Sequence, residues 1–210
     1  MHKVLIIGNS GSARECYWLL QDVLQEQSGL AFKGFLSFEG YTGDLRELAA
    51  LELGVDDSYD PCDDDIFIIG IGLPALRLKA FAKWKEKGAR FMNLIHPTVK
   101  LVGEISLGEA NILAHGCHIS CNSALGDANY CNGSVVVGHD SHIGHGNFFA
   151  PFSIVLGEAR IGSGNSFGVH SVVLAGAKIG NHNTIAPGAY VYKGCGDNAV
   201  MAGNPALNIK

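Results

Sequence analysis

The sequence predicts a chain of two parts, a small parallel α/β domain over residues 1–94 and a parallel β-helix of six-residue repeats over residues 95–210. Two observations predict this. Short apolar runs alternate with helical spacing in the first part, and a strict six-residue apolar period occupies the second. Glycine follows the same division, because most of the 28 glycines lie after position 100. The two parts therefore follow different packing rules.

The first part alternates strands and helices. Strands are predicted at 4–8, 31–37 and 65–72 and in the segment 89–97, "ARFMNLIHP". Helices are predicted at 13–27, 45–51 and 75–88, the last closed by a glycine. Such alternation favours a small Rossmann-like parallel sheet.

Two glycine turns lie where these strands end, at 8–12 ("GNSGS") and 70–72 ("GIG"). Ligands of parallel α/β sheets bind beyond the carboxyl ends of the strands. Gly8 and Gly11 would let backbone N–H groups approach an anion at the start of a helix. The same glycines also suit tight turns with no ligand. No acidic residue follows the second strand in the ribose-binding position, which argues against NAD.

The second part repeats every six residues. Its apolar positions are Ile95, Leu101, Leu107, Leu113, Ile119, Leu125, Cys131, Val137, Ile143, Phe149, Val155, Ile161, Phe167, Val173, Ile179, Ile185 and Val191. An α-helix cannot hold a six-residue period on one face, whereas a hexapeptide repeat is typical of a parallel β-helix. Three hexads would close a triangular coil of 18 residues, and coils would stack at about 4.8 Å.

Composition excludes several classes of function. The net charge is −5 and basic residues are not clustered, so the footprint of a nucleic-acid-binding protein is absent. No apolar run approaches the length of a membrane-spanning helix. The six cysteines form no CxxC pair and no export signal is evident, so we expect reduced thiols and a cytoplasmic location.

Three histidines stand together in residues 135–147, "VVVGHDSHIGHGN". In the hexad frame His139 and His145 occupy equivalent places on adjacent sides of the triangle, and His142 lies between them. The sides face different directions, so one subunit cannot easily bring all three within the roughly 2.1 Å that zinc needs. A zinc site shared between subunits stays open at this point.

The alternative is that one histidine acts as a base. Neutral imidazole suits proton removal near pH 7. Asp140 could orient His139, provided that the backbone bends between them, because neighbours on a strand point to opposite faces. One coil beyond His139 is Gly157, whose bare N–H could support an oxyanion. An exposed turn histidine without a role is the remaining interpretation.

The hexads, together with "VLIIGNSGSAR", "IGIGLPALR", "NLIHPTV" and "AGNPA", make the whole chain resemble the hexapeptide-repeat sugar acyltransferases typified by sialic-acid O-acetyltransferases and bacillosamine-pathway N-acetyltransferases. The resemblance implies a left-handed β-helix and a homotrimer with active sites between subunits. It also implies acetyl-CoA as co-substrate, a nucleotide-linked amino sugar held by the N-terminal domain, and no metal.

The resemblance further implies roles for individual residues. The catalytic positions are His139, Asp140 and Asn132. The positions that contact the coenzyme are Gly157, Phe148, Val169 and Pro187. The positions that contact the substrate are Gly8, Ser10, Gly11, Ser12, Ser37, Gly72 and Arg77. The chain departs from the family where histidines of relatives are replaced by Phe148 and Ser12, and where Glu39 is the only acid near the nucleotide position.

The function expected from these residues is acetyl-CoA-dependent N-acetylation of a nucleotide-linked 4-amino-deoxy sugar for glycan or surface polysaccharide biosynthesis. Three alternatives stay open. One is O-acetylation of a sugar such as sialic acid by the same base. Another is a zinc lyase similar to the β-helical carbonic anhydrases, whose metal histidines stand five apart rather than three and six. The last is a scaffold without catalytic activity.

Overall fold

A computed structural model of the protein describes residues 1–38, 40 and 43–210. Glu39, the acid expected near the nucleotide position, lies outside the described residues. A four-stranded sheet with two α-helices is followed by three long sheets of very short strands. The fold is therefore a Rossmann-like α/β unit followed by a left-handed parallel β-helix, and the predicted fold class is confirmed.

The N-terminal sheet is entirely parallel, with strand order β3-β2-β1-β4. Its elements are β1 (His2–Ile7), α1 (Gly11–Glu26), β2 (Leu30–Ser37), β3 (Glu52–Val55), β4 (Asp65–Ile69) and α2 (Pro74–Glu86). The predicted strands at 4–8, 31–37 and 65–72 and the helices at 13–27 and 75–88 are confirmed in place and type. The apolar runs are fully buried in β1 because helices cover the sheet.

Three predictions in this unit need correction. The segment 45–51 forms a 3-10 helix, Arg46–Leu51, and a second one spans Asp56–Ser58. Strand β3 was missed because its side chains are mostly exposed and therefore carry no apolar signal. The segment 89–97 does not complete the sheet, since only Phe91 bridges to Phe67 and the following strand joins the β-helix instead.

The β-helix has three faces, each a stack of short strands. The first face consists of β5 (Leu94–Ile95), β8 (Ile112–Leu113), β11 (Tyr130–Cys131), β14 (Phe148–Phe149), β17 (Ser166–Phe167), β20 (Thr184–Ile185), β23 (Val200–Gly203) and the antiparallel β24 (Ala206–Asn208). The second face consists of β6 (Lys100–Leu101), β9 (His118–Ile119), β12 (Val136–Val137), β15 (Ile154–Val155), β18 (Val172–Val173) and β21 (Tyr190–Val191). The third face consists of β7 (Ile105–Leu107), β10 (Ser123–Leu125), β13 (His142–Ile143), β16 (Arg160–Ile161), β19 (Lys178–Ile179) and β22 (Gly194–Cys195).

Coils pair in the predicted 18-residue register as far as Val191, as Val137 with Val155 shows, whereas the last coil is two residues shorter and pairs Ile185 with Met201. The repeated apolar residues fill the interior from Leu113 to Val191, and the rings of Phe149 and Phe167 stack with centroids 4.5 Å apart. Leu101 is the exception, 43% exposed, because no complete coil lies below it to cover it. Burial against neighbouring coils thus explains why the period is so strict.

The edges between faces turn through a left-handed residue at every sixth position, for example Ser134, Asp140, Gly146 and Phe152, with φ between 55° and 61°. We name the edges by the faces they join. Edge 1/2 carries 132–134, 151–152, 169–170 and 187–188; edge 2/3 carries 121–122, 139–140 and 157–158; edge 3/1 carries 127–128, 145–146, 163–164 and 181–182. Each side chain two positions after a core residue therefore stands at an edge.

Buried asparagines line edge 3/1 at 18-residue intervals, at Asn111, Asn129, Asn147, Asn165 and Asn183. The side-chain oxygens of the first four accept the backbone N–H of the next asparagine, as Asn147 does from Asn165 at 2.9 Å, and that of Asn183 accepts the N–H of Ala199. Such bonds satisfy backbone groups that the tight turn would otherwise leave unpaired in the interior.

The N-terminal unit packs on the first face, where Leu20 of α1 shares a core with Ile112 and Tyr130. This packing holds the glycine turns of the N-terminal sheet beside the coils of the β-helix. No helix in the described part of the chain has the length and apolarity needed to cross a bilayer.

Candidate active site

His139 and Asp140 form a hydrogen-bonded pair on edge 2/3, with Nδ1 and Oδ2 2.7 Å apart. The bend that this pair requires comes from the left-handed turn, where Asp140 has φ 55°. The bond to His139, and then a bond from Asn122 one coil earlier, hold the pKa of Asp140 below its usual range. An Nδ1–H that donates to the carboxylate leaves Nε2 with its lone pair, and Nε2 makes no hydrogen bond to any described residue.

Gly157 lies directly against the imidazole. A Cβ added to it would be 2.7 Å from both Cε1 and Nε2 of His139, so any residue other than glycine would clash with the imidazole ring. Glu158 donates its N–H to the carbonyl of His139 at 2.8 Å, which locks the two coils together. The N–H of Gly157 itself has no acceptor in the described part of the chain. A ring nitrogen that can take a proton thus stands beside an unused backbone donor.

The other two histidines of the cluster do not join this pair. Nδ1 of His145 accepts the backbone N–H of Asp127 at 2.9 Å on edge 3/1. His142 points outward from β13 on the third face, beside Arg160 in the adjacent strand. Within the described ranges, no group of three or more His, Cys, Asp or Glu side chains could hold a metal ion.

The two glycine turns of the N-terminal sheet meet the β-helix at Phe148. A Cβ on Gly72 would lie 2.7 Å from Oγ of Ser12 and 3.6 Å from Cε2 of Phe148. Gly8, at φ 122°, abuts the second turn, since a Cβ there would lie 2.8 Å from the carbonyl oxygen of Gly70. The structure therefore brings both predicted loops together with one predicted coenzyme residue.

The start of α1 has free donors within this junction. Ser10 is the N-cap residue, yet its side chain makes no capping hydrogen bond, and the first turn contains no acidic residue. The first N–H groups of a helix have no intrahelical acceptor, and the helix dipole favours a negative charge at this end. Gly11 is exposed here, so an anion has access to those N–H groups. Ser37, at the end of β2, donates its hydroxyl to the carbonyl of Gly54 at 3.2 Å.

The prediction that Arg77 contacts the substrate is wrong. The side chain is fully buried and donates only to backbone carbonyls of the two units. The acceptors are Ile69 and Ile71 at the end of the N-terminal sheet and Ala110, Ala128 and Asn129 in the β-helix. Burial lowers the pKa of Arg77 to about 10, which leaves it charged at neutral pH. Arg77 therefore joins the two units and has no donor aimed at a ligand.

The remaining predicted residues lie on edge 1/2, one side of the prism away from His139. Asn132 lines a cavity of about 290 Å³ with Glu15 and Trp18 of α1, and its Oδ1 accepts the N–H of Gly133 at 2.7 Å. Val169 and Pro187 follow on the same edge. Within one chain, the structure thus does not bring Asn132 to His139, and the roles of these residues stay predictions.

Sequence reasoning missed Asn122, whose side-chain amide donates to Asp140 at 3.2 Å. The signal was present, because Asn122 precedes Asp140 by 18 residues, which is one coil of the repeat. An acceptor and a donor at that spacing on one edge are neighbours across the stacked coils.

The architecture places the protein in a structural class, that of a Rossmann-like unit joined to a left-handed parallel β-helix. No family model matches the sequence, and no curated protein matches it. Solved structures, in contrast, match over the whole chain.

PerB from Caulobacter crescentus, solved with CoA and GDP-perosamine, has a TM-score of 0.84 at 24% identity, over 100% of this chain and 98% of that one. The acetyltransferase domain of PglB from Neisseria gonorrhoeae has a TM-score of 0.87 at 19% identity, over 100% of both chains. WeeI from Acinetobacter baumannii has a TM-score of 0.82 at 22% identity, again over 100% of both. The chain is similar to these three proteins in fold.

Proposed function

We propose that the protein is an acetyl-CoA-dependent N-acetyltransferase that acts on a nucleotide-linked 4-amino-deoxy sugar. The observation that carries the proposal is the His139–Asp140 pair beside Gly157, which combines a base with an unused N–H donor. The similar structures support the choice of substrates, since PerB was solved with CoA and GDP-perosamine and the PglB domain with acetyl coenzyme A. Forms of perosamine N-acetyltransferase with a substituted histidine were also solved with both ligands.

In the proposed reaction, the sugar amine attacks the acetyl carbonyl carbon of the thioester. Nε2 of His139 takes the proton that the nitrogen loses, while Asp140 keeps the ring in the tautomer that allows this. The N–H of Gly157 donates to the oxygen that becomes negative at the carbonyl. The carbon–sulfur bond then breaks, and the proton on His139 passes to the departing thiolate of CoA.

The nucleotide belongs, in this proposal, at the junction of Ser12, Gly72 and Phe148. The uncapped start of α1 suits the diphosphate, because its N–H groups and dipole favour an anion. Gly8, Ser10 and Gly11 would border the diphosphate, and Ser37 would border the nucleoside. Phe148, which is half-buried, would separate the sugar from the interior of the β-helix.

We propose a homotrimer with the active site between subunits. The outward residues of the second face and its rims include large exposed apolar side chains, Val102, Leu156, Tyr190 and Tyr192. Exposed apolar surface of this kind is a mark of an interface. Association through this face would also bring edge 1/2 of one subunit, with Asn132, Val169 and Pro187, towards edge 2/3 of the next. The predicted site residues of edge 1/2 and those of edge 2/3, which are far apart within one chain, would then form one active site.

The test is incubation of the protein with acetyl-CoA and a panel of UDP-, dTDP-, GDP- and CMP-linked sugars, with and without an amine at carbon 4. We expect CoA release with a 4-amino sugar and a product heavier by one acetyl group that resists hydroxylamine. Light scattering checks the trimer. A hydroxylamine-labile product would instead assign O-acetylation of a hydroxyl by the same base. No acetyl transfer to any sugar of the panel would contradict the proposal. The glycan pathway and the cytoplasmic location belong to the same proposal, since sugar nucleotides and acetyl-CoA are cytoplasmic metabolites.

A further inference from the structure

Asn122 bonds to the carboxylate of Asp140 from the neighbouring coil. Its Nδ2 lies 3.2 Å from Oδ1 of Asp140, whereas Nδ1 of His139 lies 2.7 Å from Oδ2. The two partners therefore hold different oxygens of one carboxylate. Rotation about the last bond of an aspartate side chain is soft, and this side chain is about half exposed, so packing alone does not fix its plane. The amide of Asn122 supplies a constraint that packing does not.

The left-handed turn does not by itself account for an asparagine at position 122. Asn122 has φ 56°, a conformation that asparagine tolerates well. Other turns of the β-helix nevertheless place other residue types at φ between 55° and 62°, namely Ala128, Ser134, Phe152, Glu158 and His170. The turn thus accepts many side chains, and the exposed amide at 122 is available for a role of its own.

The amide also interrupts a series of acids on edge 2/3. The residues at 18-residue intervals along this edge are Glu104, Asn122, Asp140 and Glu158. The coils are in contact here, since Asn122 donates its backbone N–H to the carbonyl of Glu104 at 2.8 Å. An aspartate at 122 would have nearly the same shape, but its carboxylate could only accept hydrogen bonds and would repel Asp140. The neutral amide donates to that carboxylate instead.

We propose that Asn122 is a positioning residue, which extends the His139–Asp140 pair to a hydrogen-bonded triad across two coils. This inference rests on the proposed function. By holding Oδ1, Asn122 keeps Asp140 in the plane in which Oδ2 faces Nδ1 of His139. The ring proton then stays on Nδ1, and Nε2 keeps the lone pair that takes the proton of the acceptor amine. Asn122 acts through Asp140 and not on the substrates.

The test compares the steady-state kinetics of wild type, N122G and N122D. Glycine keeps the left-handed turn and removes the amide, whereas aspartate keeps the shape and replaces the donor by a like charge. We expect kcat to be about fivefold lower in N122G, the usual contribution of one hydrogen bond, and lower still in N122D. The KM for acetyl-CoA should not change in N122G, because the amide does not bind the donor.

A double variant separates positioning from any independent effect. D140G removes the carboxylate and keeps the turn. Adding N122G to D140G should cause no further fall in kcat, because the group through which Asn122 acts is already absent. The matched control is N198G, which removes an asparagine from a left-handed turn of edge 3/1 at φ 57° and should leave kcat within about twofold. Losses that multiply in the double variant, or a loss in N198G equal to that in N122G, would overturn the proposal.

Nitrogen NMR of the neutral His139 ring gives a readout that does not need turnover. The ring signals are assigned by their absence in His139→Ala. We expect protonated Nδ1 in wild type and N198G, and a mixture of both tautomers in N122G. A wild-type tautomer population in N122G would overturn the positioning role. Wild type that transfers no acetyl group, while N122G still changes the tautomer of His139, would overturn the proposed function alone.

Discussion

His139 and His145 occupy equivalent positions in consecutive hexads, yet they are bonded in different ways. Their side chains are equally exposed, at 55% and 54%. On edge 3/1 the side chain at this position accepts the backbone N–H of the coil before it, as His145 does from Asp127 and Ser163 does from His145. On edge 2/3 the imidazole of His139 bonds to the next residue in sequence, Asp140, and keeps Nε2 free. Equal exposure therefore does not imply equal chemistry.

The residues one coil further along differ as well. Beyond His145 stands Ser163, whose hydroxyl occupies the edge and ties the coils together. Beyond His139 stands Gly157, which leaves space against the ring and a donor without an acceptor. His145 on edge 3/1 thus has a structural role, whereas His139 on edge 2/3 is available for chemistry. Paired substitutions at equivalent positions of the two edges can test this difference.

The largest effect is expected from replacing each histidine by alanine. His139→Ala should lower kcat by about 10²- to 10⁴-fold, the usual contribution of a positioned base, with little change in melting temperature. His145→Ala should leave kcat within about twofold, since a surface side chain away from the chemistry is removed. Steady-state kinetics of both variants measures the contrast. Equal losses in the two variants would contradict the assignment of His139.

The next effect concerns glycines that lie against imidazole rings. Gly157→Ala places a methyl group on the far end of the His139 side chain, which can swing aside, so activity should fall roughly 10- to 100-fold with stability retained. Gly133→Ala makes the same collision with His115, at 2.8 Å from Cε1, and should lower activity less than Gly157→Ala does, because His115 is not the base. Gly144→Ala meets backbone atoms of Gly162 at 2.8 Å and should instead lower the melting temperature. Activity assays and thermal melts of the three variants provide the comparison. A Gly157→Ala variant as active as wild type would show that the space at Gly157 is not needed to hold the His139 ring.

A smaller effect is expected for the carboxylates. The bonds from His139 and Asn122 hold the pKa of Asp140 below its ordinary 3.8, so Asp140 stays ionised as pH falls through 7 and 6. Asp140→Asn should lower kcat about tenfold, because the ring loses the carboxylate that orients it and its protonated form loses a counter-charge. The effect is modest since the pair is exposed to water.

The control for that carboxylate is Asp127→Asn on edge 3/1, where the amide oxygen can still accept the N–H of Glu109. Its kcat should match that of wild type. A kcat lowered equally in both variants would mean that the change reports net charge and not the orientation of His139.

The smallest effect is a loss of stability. His145→Ala removes the acceptor of the Asp127 N–H and should cost about 1 kcal/mol, the usual contribution of one hydrogen bond. His145→Asn offers an oxygen in its place, as Asn181 already does for Ser163, and should restore most of that loss. Chemical denaturation of the three proteins gives the comparison. No recovery in His145→Asn would show that edge 3/1 is not held by these bonds.

Much of the fold was predictable because its signals are local. An interior one residue wide requires the same apolar class at each sixth position, so the β-helix register can be read from residues such as Val137 and Val155. Strand β3 carried no such signal since it buries almost nothing. Arg77 was misassigned because a guanidinium suits both an anionic ligand and a set of buried carbonyls, and only its surroundings distinguish the two.

The site shows the same division. The coil, the edge position of His139 and the glycine stacked against it follow from the order of residues alone, because periodicity converts sequence distance into spatial distance. The contact of Asp140 with the imidazole, and the meeting of the turns around Ser12 and Gly72 at Phe148, are visible only in the folded chain. Those contacts depend on backbone dihedrals and on packing between distant segments, and neither has a period in the sequence.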